Sequence, residues 1–579
     1  MSRVLDNQIR RSFDTVGIKL DPDSHKSIQH WLQQSIDINE IDTITLKQYC
    51  NNIAKQCKIQ ANNTVDKKIN TNIVTNVLHK IDVELTQHTN STVDVNDENN
   101  SNLSNVSINH INNKKNTNVT KHNRLPYISV ISAYKQPCYR YDMINKQFHL
   151  HSTSHQLSGM ASERTNMLIE RYNMQWQRLQ RNELFAVPVT ALSMHNNTSY
   201  HEIIDITSLL SRGSYSGKHI IFGMLSSVGG DTDYCIEDCM NRVHVDLSGA
   251  AIAGGYYTNS CYVLAEGELR DNDIFYITSL GHPPAEHRSI SLNTYPILDL
   301  FGCNNAFELR ASEIELEKQF QLNELLNNKV HENDMIVILS DVHIDQINTM
   351  NKLRILFDGL AAAQPAVFVF MGNFTSHTIH TNNNNYLELK YYFDQLCDLI
   401  CSYPQLAKQS TFIFIGGPND PTLAGNILPS PGLPPSLTQR LRDKLSHCII
   451  GSNPCRLMYY GRELTLYRDD LLQKVRRNCI IEPATDHDDH NESTLHLVKT
   501  IVDQSHLSPF TLSVKPISWS YDHSLRIYPL PDLLVLADCV DQYEHNENCL
   551  AINPGQFSTD YSFVVYMPQA NKPEFSRIT

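Results

Sequence analysis

The chain has 579 residues, 41% of them hydrophobic and 19% charged, with a net charge of −14. That length accommodates several domains, and the composition suits a soluble globular protein with at least one large core. The negative balance speaks against a dedicated nucleic-acid binder, which ordinarily carries a basic excess or stripe. The opening MSRVLDNQIRRSFD carries charges where a signal peptide needs an apolar run, and no later stretch reaches membrane-spanning length. A soluble, intracellular protein is expected. The 14 cysteines include no Cys-x-x-Cys, and the nearest pairs, Cys235/Cys239 and Cys397/Cys401, stand alone. They are read as reduced, mostly buried thiols rather than as a metal site.

Residues 1–85 read as a small helical domain. Trp31, Leu32 and Ile36 fall at helical spacing, as do Val74, Leu78 and Ile81. From 86 to 123 the chain is rich in Asn, Ser and Thr, with too little apolar area to offset its ordering entropy, so a disordered insert is expected. A connecting segment, 124–183, ends in the charged helix MLIERYNMQWQRLQRNELF. The block 184–300 contains short β-branched and aromatic runs punctuated by Asn241 and Asn272-Asp273, which predict a meander of about five strands, the size of a small barrel. Between residues 211 and 290, five Lys/Arg (Arg212, Lys218, Arg242, Arg270, Arg288) face ten Asp/Glu. Tyr256, Tyr257, Phe275 and Tyr276 are therefore read as core or protein interface, not as stacking platforms for single-stranded DNA.

From 301 to 579 strands and helices alternate. MIVILS (335–340), AVFVFM (366–371) and TFIFIGG (411–417) read as buried parallel strands. The intervening helices carry Ile347, Met350, Leu353, Phe357 and Leu360, then Leu389, Phe393, Leu396 and Ile400. This is a βαβαβ unit, whose site belongs at the strand C-termini. CRLMYYGRELTLYR predicts a hairpin and PDLLVLAD another buried strand. Asp469-Asp470 opens, and Lys474, Arg476 and Arg477 close, a segment whose polarity matches a helix dipole better than a DNA patch.

The three parallel strands end in Ser340-Asp341-Val342-His343, Gly372-Asn373-Phe374-Thr375-Ser376 and Gly416-Gly417-Pro418-Asn419-Asp420. This resembles calcineurin-type metallophosphoesterases, whose motifs are Asp-x-His, Gly-Asp-x-x-Asp, Gly-Asn-His-Asp/Glu and Gly-His-x-His. Such enzymes clamp phosphate between two metals about 3.5–4 Å apart. Asp341 and His343 match, but Asn373 stands at the bridging aspartate, Pro418 at the metal-binding Asn and Asn419 at the catalytic His. Leu530-Pro531 occupies the region expected to carry the last histidines. Asp341, His343, Asn373, Asn419 and Asp420 are read as vestigial positions, with no catalytic residue, no cofactor and no metal. Asp341 and His343 are read as a polar pair fixing a loop rather than as one weak metal site.

A degenerate phosphoesterase behind a small barrel resembles the B-subunit family of eukaryotic replicative DNA polymerases, most closely its epsilon branch. The resemblance rests on RYNMQWQRLQRNELF, CYVLAEGEL, ILSDVHIDQINTMNKLRILFDG, SNPCRL, YRDDLLQKVRRNC, HLVKTIVDQSHLSPF, SYDHSLRIYPLPDLLVLADCVDQYE and CLAINPGQF, and runs from about 171 to 557. It implies a multidomain α+β chain: a small N-terminal helical domain, an OB-fold barrel and an inactive calcineurin-like α/β phosphoesterase sandwich. It further implies a nuclear, non-catalytic scaffold gripping the cysteine-rich C-terminal region of the polymerase catalytic subunit. By the same resemblance the N-terminal domain links to the helicase complex through GINS, small histone-fold subunits share the holoenzyme, DNA is met only indirectly, and no membrane is involved. The alternatives are an active metal-dependent phosphoesterase or nuclease using Asp341, His343, Asp420 and His506, or a nucleic-acid-binding module.

Overall fold

The computed structural model describes residues 127–151, 159–186, 200–212, 217–229, 233–296, 298–302, 333–378, 383–422, 425–483 and 490–578, with isolated positions 28, 326 and 331. The expected helical domain 1–85 and the insert 86–123 lie outside the described residues apart from Ile28. Residues 117–579 form one compact unit. No helix among the described residues is long and apolar enough to cross a membrane.

The unit opens with strand β1 (Ile128–Ser132) and, after a short hairpin, helix α1 (Ala161–Leu179). A barrel follows, from β2 (Lys218–Ser227), β3 (Tyr234–Glu237), β4 (Arg242–Asp246), β6 (Tyr262–Leu269) and β7 (Ile274–Gly281), while the short β5 (Tyr257–Thr258) pairs outside the barrel sheet, with residues 479–481. Its inward positions alternate as half-buried strands require, with Val243 and Val245 on β4, Val263 and Ala265 on β6 and Phe275 and Ile277 on β7 in one core. Five longer strands match the expected number, two-residue strands at Ile203–Ile204 and Ala251–Ile252 bring the sheet to seven, and the order is not a simple meander. β2, β3 and β4 form an antiparallel meander, whereas β4 pairs in parallel with β7, and β6 returns to β2 to close the sheet. Gly267 permits the bulge in β6, because a Cβ there would lie 2.2 Å from the Tyr276 carbonyl oxygen. Tyr256, Tyr257 and Phe275 are buried, and Tyr276 is half-buried with the Arg270 guanidinium 3.8 Å from its ring centre. Core is what these rings build.

After α2 (Arg288–Thr294) come β8 (Ile336–Ser340), α3 (Ile347–Leu360), β9 (Val367–Met371), α4 (Asn383–Cys401), β10 (Thr411–Ile415), α5 (Pro435–Lys444) and β11 (Cys448–Gly451). Strands β8 to β11 are parallel, as the apolar runs predict. On α3, Leu353 and Phe357 are buried as expected, but Ile347 is 79% exposed and Leu356 takes its place in the core. The first turn of α3 faces inward through Thr349 and Met350 and turns Ile347 to solvent. Cys397 and Cys401 lie on α4, as their spacing indicates.

The remaining elements are β12 (Cys455–Tyr459), β13 (Arg462–Arg468), α6 (Leu471–Asn478), β14 (Cys479–Ile481), α7 (His490–Gln504), β15 (Leu533–Ala537), β16 (Tyr543–Asn546), β17 (Leu550–Asn553), β18 (Ser562–Met567) and β19 (Lys572–Arg577). One six-stranded sheet runs β11-β10-β9-β8-β18-β19 and the other β1-β12-β13-β15-β17-β16. Ile338, Val369 and Ile413 of the first share a core with Leu457, Leu466 and Val535 of the second, so the sheets pack face to face. Helices α3, α4 and α5 cover the outer face of the first, and α6 and α7 that of the second.

Two findings correct the sequence reading. The segment 124–183 is more than a connector, since β1 pairs with β12 as an edge strand of the second sheet and Tyr127 stacks on Tyr460. Five residues with polar flanks are too short a pattern to betray that pairing. The charged helix α1 also buries four of its polar residues, Arg171, Gln175, Gln177 and Arg178, in its C-terminal half. Arg171 meets Asp522 at 2.5 Å, Arg526 meets Glu170 at 2.5 Å, and Arg178 donates to the Asp503 carbonyl at 2.7 Å. Gln504 on α7 reaches the barrel, donating to the Tyr262 carbonyl at 2.8 Å and to His282 Nδ1 at 2.9 Å. Arg288 to Glu463 and Arg181 to Glu286, both at 2.9 Å, complete the bracing of barrel on sandwich.

This junction buries neutral histidines. Burial pushes His282 down to about 3, helped by Lys499, and His506 and His523 down to about 4. The unfolded chain therefore takes up protons below about pH 6.5 that the native junction refuses, and stability falls from there towards pH 4, by about 3 kcal/mol per histidine at full effect. Buried Asp420, raised to about 6, works in the opposite direction over the same range. A His282→Asn variant, whose amide oxygen can still accept from Gln504, isolates the histidine contribution. Urea unfolding of both proteins at pH 7.5 and pH 4.5 should give a smaller acid loss for the variant; an equal loss would contradict the assignment.

Candidate functional site at the strand ends

Strands β8, β9 and β10 of one sheet and β13 and β15 of the other end in the same region. Asp341 follows β8 with φ +50°, Asn373 follows β9, Asp420 follows β10, Asp470 follows β13 and Asp538 follows β15. Glycines let these loops touch: a Cβ on Gly372 would lie 2.0 Å from Asp420 Oδ2 and 2.4 Å from the Gly417 nitrogen. The structure thus brings together Asp341, Asn373, Asn419 and Asp420. It also adds a residue that the motif comparison missed.

Arg468, the last residue of β13, lies at the centre with its side chain 1% exposed. Its Nη2 donates to Asp341 Oδ1 at 2.7 Å, Nη1 to Asp470 Oδ1 at 2.7 Å, and Nε to the Gly372 carbonyl at 2.8 Å. A longer Nη1 contact reaches the Ala537 carbonyl at 3.4 Å. Burial disfavours the guanidinium charge, but Asp341 and Asp470 outweigh it and hold the group firmly protonated. The sequence signal was an arginine closing a strand immediately before two aspartates.

The other polar atoms are engaged in turn. Asp341 Oδ1 also accepts from the Asn373 backbone at 2.9 Å and from Asn373 Nδ2 at 3.1 Å. Asn373 Oδ1 accepts from the Asn419 backbone at 2.9 Å. Asp420 uses both oxygens on backbone N–H groups, of Phe374 at 2.9 Å and Gly417 at 2.7 Å. Burial still raises its carboxyl to about 6, against those two donors and Arg468. His343 is half-buried, and burial depresses its pKa despite Asp341 and Asp345 nearby. Asp341 Oδ2 and His343 Nδ1 are buried without a hydrogen-bond partner. Two donors beside a fixed guanidinium do not fit a dinuclear metal centre, which needs several ligands per ion and a carboxylate bridging them.

One further expectation is corrected. Leu530 and Pro531 precede β15 and lie at its far end, so the residue delivered to the cluster is Asp538. The segment opened by Asp469-Asp470 is helix α6, with Arg476 and Arg477 in its last turn as its polarity indicates. Asp469 binds Lys474 and Lys515, Asp470 binds Arg468, and Asp538 accepts from the first N–H groups, of Leu471 and Leu472 at 3.0 and 2.8 Å. His506 sits apart in the α1 junction, 3.3 Å from Asp522. Among the described residues, Asp470, Asp538 and Cys539 are the three whose ligand atoms lie within 4.8 Å of one another. Burial and neighbouring Asp470 keep the Cys539 thiol protonated, and Asp470 already serves Arg468.

Restoring the bridging carboxylate should therefore harm the site. Asn373→Asp removes an amide donor to Asp341 and places a second negative charge beside it, a mismatch of about 1–3 kcal/mol. The expected result is a lower melting temperature and no Mn²⁺-dependent phosphodiester turnover in wild type or variant. Turnover that vanishes on Asp341→Ala would contradict it.

Comparison with known proteins matches residues 336–545 to the family of DNA polymerase alpha/epsilon B subunits, and residues 161–284 to the DNA polymerase epsilon subunit 2-like OB-fold domain. The chain is 36% identical over 460 residues to the DNA polymerase epsilon B subunit of Arabidopsis thaliana, covering 78% of this chain and 83% of that protein. It is 36% identical over 458 residues to DNA polymerase epsilon subunit 2 of Homo sapiens, with the same coverage. With the Drosophila melanogaster subunit 2 it shares 31% over 453 residues, 78% of this chain and 82% of that protein.

Proposed function

Because the chain belongs to the DNA polymerase alpha/epsilon B-subunit family, we propose that it is the non-catalytic accessory subunit of a DNA polymerase epsilon complex, active in chromosomal replication in the nucleus. The observation that carries this reading is the strand-end cluster, where Arg468 holds Asp341 and Asp470 by one oxygen each and backbone N–H groups hold both oxygens of Asp420. The two-sheet body is a calcineurin-like phosphoesterase sandwich that has kept its architecture and lost its chemistry. Asp341, His343, Asn373, Asn419 and Asp420 are its vestigial positions. The OB-fold barrel, braced on that body by buried ion pairs, offers one continuous rigid surface.

The partner of that surface is the cysteine-rich C-terminal region of the polymerase catalytic subunit. Residues 1–85 form a separate helical domain, tethered by the Asn-rich insert, that contacts the helicase machinery through GINS. The small histone-fold subunits join within the holoenzyme. Nothing at the strand ends favours the alternative of an active phosphoesterase.

Deleting residues 1–123 should leave co-purification with the catalytic subunit's C-terminal region intact while weakening capture of GINS. Loss of the polymerase fragment on deletion would contradict this division of labour. Co-expression with that fragment should raise the melting temperature, since a nanomolar partner at micromolar concentration adds about 4 kcal/mol.

DNA binding should be weak and salt-sensitive, as the chain's net charge of −14 and acidic barrel imply. Fluorescence anisotropy with a single-stranded oligonucleotide at about 150 mM salt should give no micromolar binding. Micromolar or tighter affinity would return the barrel to the nucleic-acid binders.

A further inference from the structure

We infer that Arg468 is a resident cation: its guanidinium supplies permanently the positive charge that the aspartate-lined strand ends require, and so closes the crevice to divalent metal ions. The inference rests on the phosphoesterase reading of the body and adds the agent of its inactivation. Loss of ligands alone would leave a carboxylate cluster in want of a counter-charge. What the structure contains is a cluster already neutralised from within.

Each carboxylate of the cluster is met by the chain. Asp341 Oδ1 and Asp470 Oδ1 are held by two nitrogens of the same guanidinium, each at 2.7 Å. Asp469 is held by Lys474 and Lys515. Asp420 and Asp538 each accept from two backbone N–H groups. Five aspartates converge, and none depends on a bound ion for a donor.

Geometry makes the arrangement permanent. Arg468 comes from the second sheet and reaches across to Asp341 and the Gly372 carbonyl of the first, so its fork spans the space between the strand ends. A guanidinium cannot release its proton at any pH the fold survives, and its planar donors fit two carboxylates and a carbonyl at once. A divalent ion seated on Asp341 Oδ2 would share that carboxylate with the guanidinium and meet its full charge at a few ångströms, in a buried setting with little screening. The guanidinium also does what a bridging metal would do structurally, tying loops after β8, β9 and β13 to one centre.

The test titrates Mn²⁺ into the full-length chain and follows free Mn²⁺ by electron paramagnetic resonance. Wild type should show no site of sub-millimolar affinity. R468A, which leaves Asp341 and Asp470 without their cation, should bind Mn²⁺ at least tenfold more tightly than wild type. Adding D341N should abolish that gain, and 10 mM methylguanidinium should compete with it. Sub-millimolar Mn²⁺ binding by wild type that D341N removes would overturn the inference, as would a folded R468A that binds no better than wild type. If R468A fails to fold, R468K decides: a lysine cannot span both carboxylates, so Asp470 is released and Mn²⁺ affinity should rise; unchanged affinity in a folded R468K overturns the inference. Capture of the polymerase fragment does not depend on any of these outcomes, so the accessory-subunit reading and this one fail separately.

Discussion

The contact between Arg468 and Asp341 joins the two sheets where their strands end, and much of the local structure is arranged to make it possible. A guanidinium with 1% of its side chain exposed survives only if its donors are met by charged or carbonyl acceptors. Asp341 takes a positive φ to present its carboxylate, and Gly372 lies close enough to offer its carbonyl oxygen. Removing one partner of such a buried pair typically costs about 3–5 kcal/mol, because the other charge is left stranded. Against a total stability of about 5–15 kcal/mol, the pair constrains which substitutions nearby can be tolerated. Asn373 illustrates this, since an amide there feeds Asp341 with two hydrogen bonds where a carboxylate would oppose it.

The same logic recurs at the junction of barrel and sandwich. Helix α1 buries arginines and glutamines beside Met167, Met174 and Leu179, and each of those polar groups is answered from the segment 503–526 or from α1 itself. Buried polar junctions of this kind are specific because a shifted register leaves donors unmet. A barrel fixed in this way, with its aromatic residues turned into the core, is suited to presenting a constant surface to another protein. An enzyme would spend such a crevice on substrate. Here the chain fills it with its own side chains.

How much of this could be read from the sequence follows from the range of each interaction. The parallel strands, the βαβαβ unit and the β12–β13 hairpin announce themselves through local apolar runs, and the structure agrees with them. The motif positions were legible for the same reason: a strand end is a local feature, and Asp341, Asn373 and Asp420 do meet. What escaped depends on distant pairing. The partner of β1 is 323–331 residues away in sequence, counted from Ser132–Cys455 to Ile128–Tyr459. Arg171 and Arg178 resemble any solvated helix face until Asp522 and the 503–505 turn are placed against them. Arg468 carries no role in the local pattern, and only the packing of one sheet on the other carries it to Asp341. Ile347 fits the apolar stripe of its helix, yet Thr349 of the same turn is the buried residue and Ile347 is exposed.

The central claim is that a protein side chain holds the place a catalytic ion would need. Crystals of the protein soaked in Mn²⁺, with diffraction collected near the manganese absorption edge, test it directly. Electron density for the Arg468 guanidinium between Asp341 and Asp470, with no anomalous peak at the strand ends, is the expected result. An anomalous peak within coordinating distance of Asp341 and His343, with Arg468 displaced from them, would contradict it.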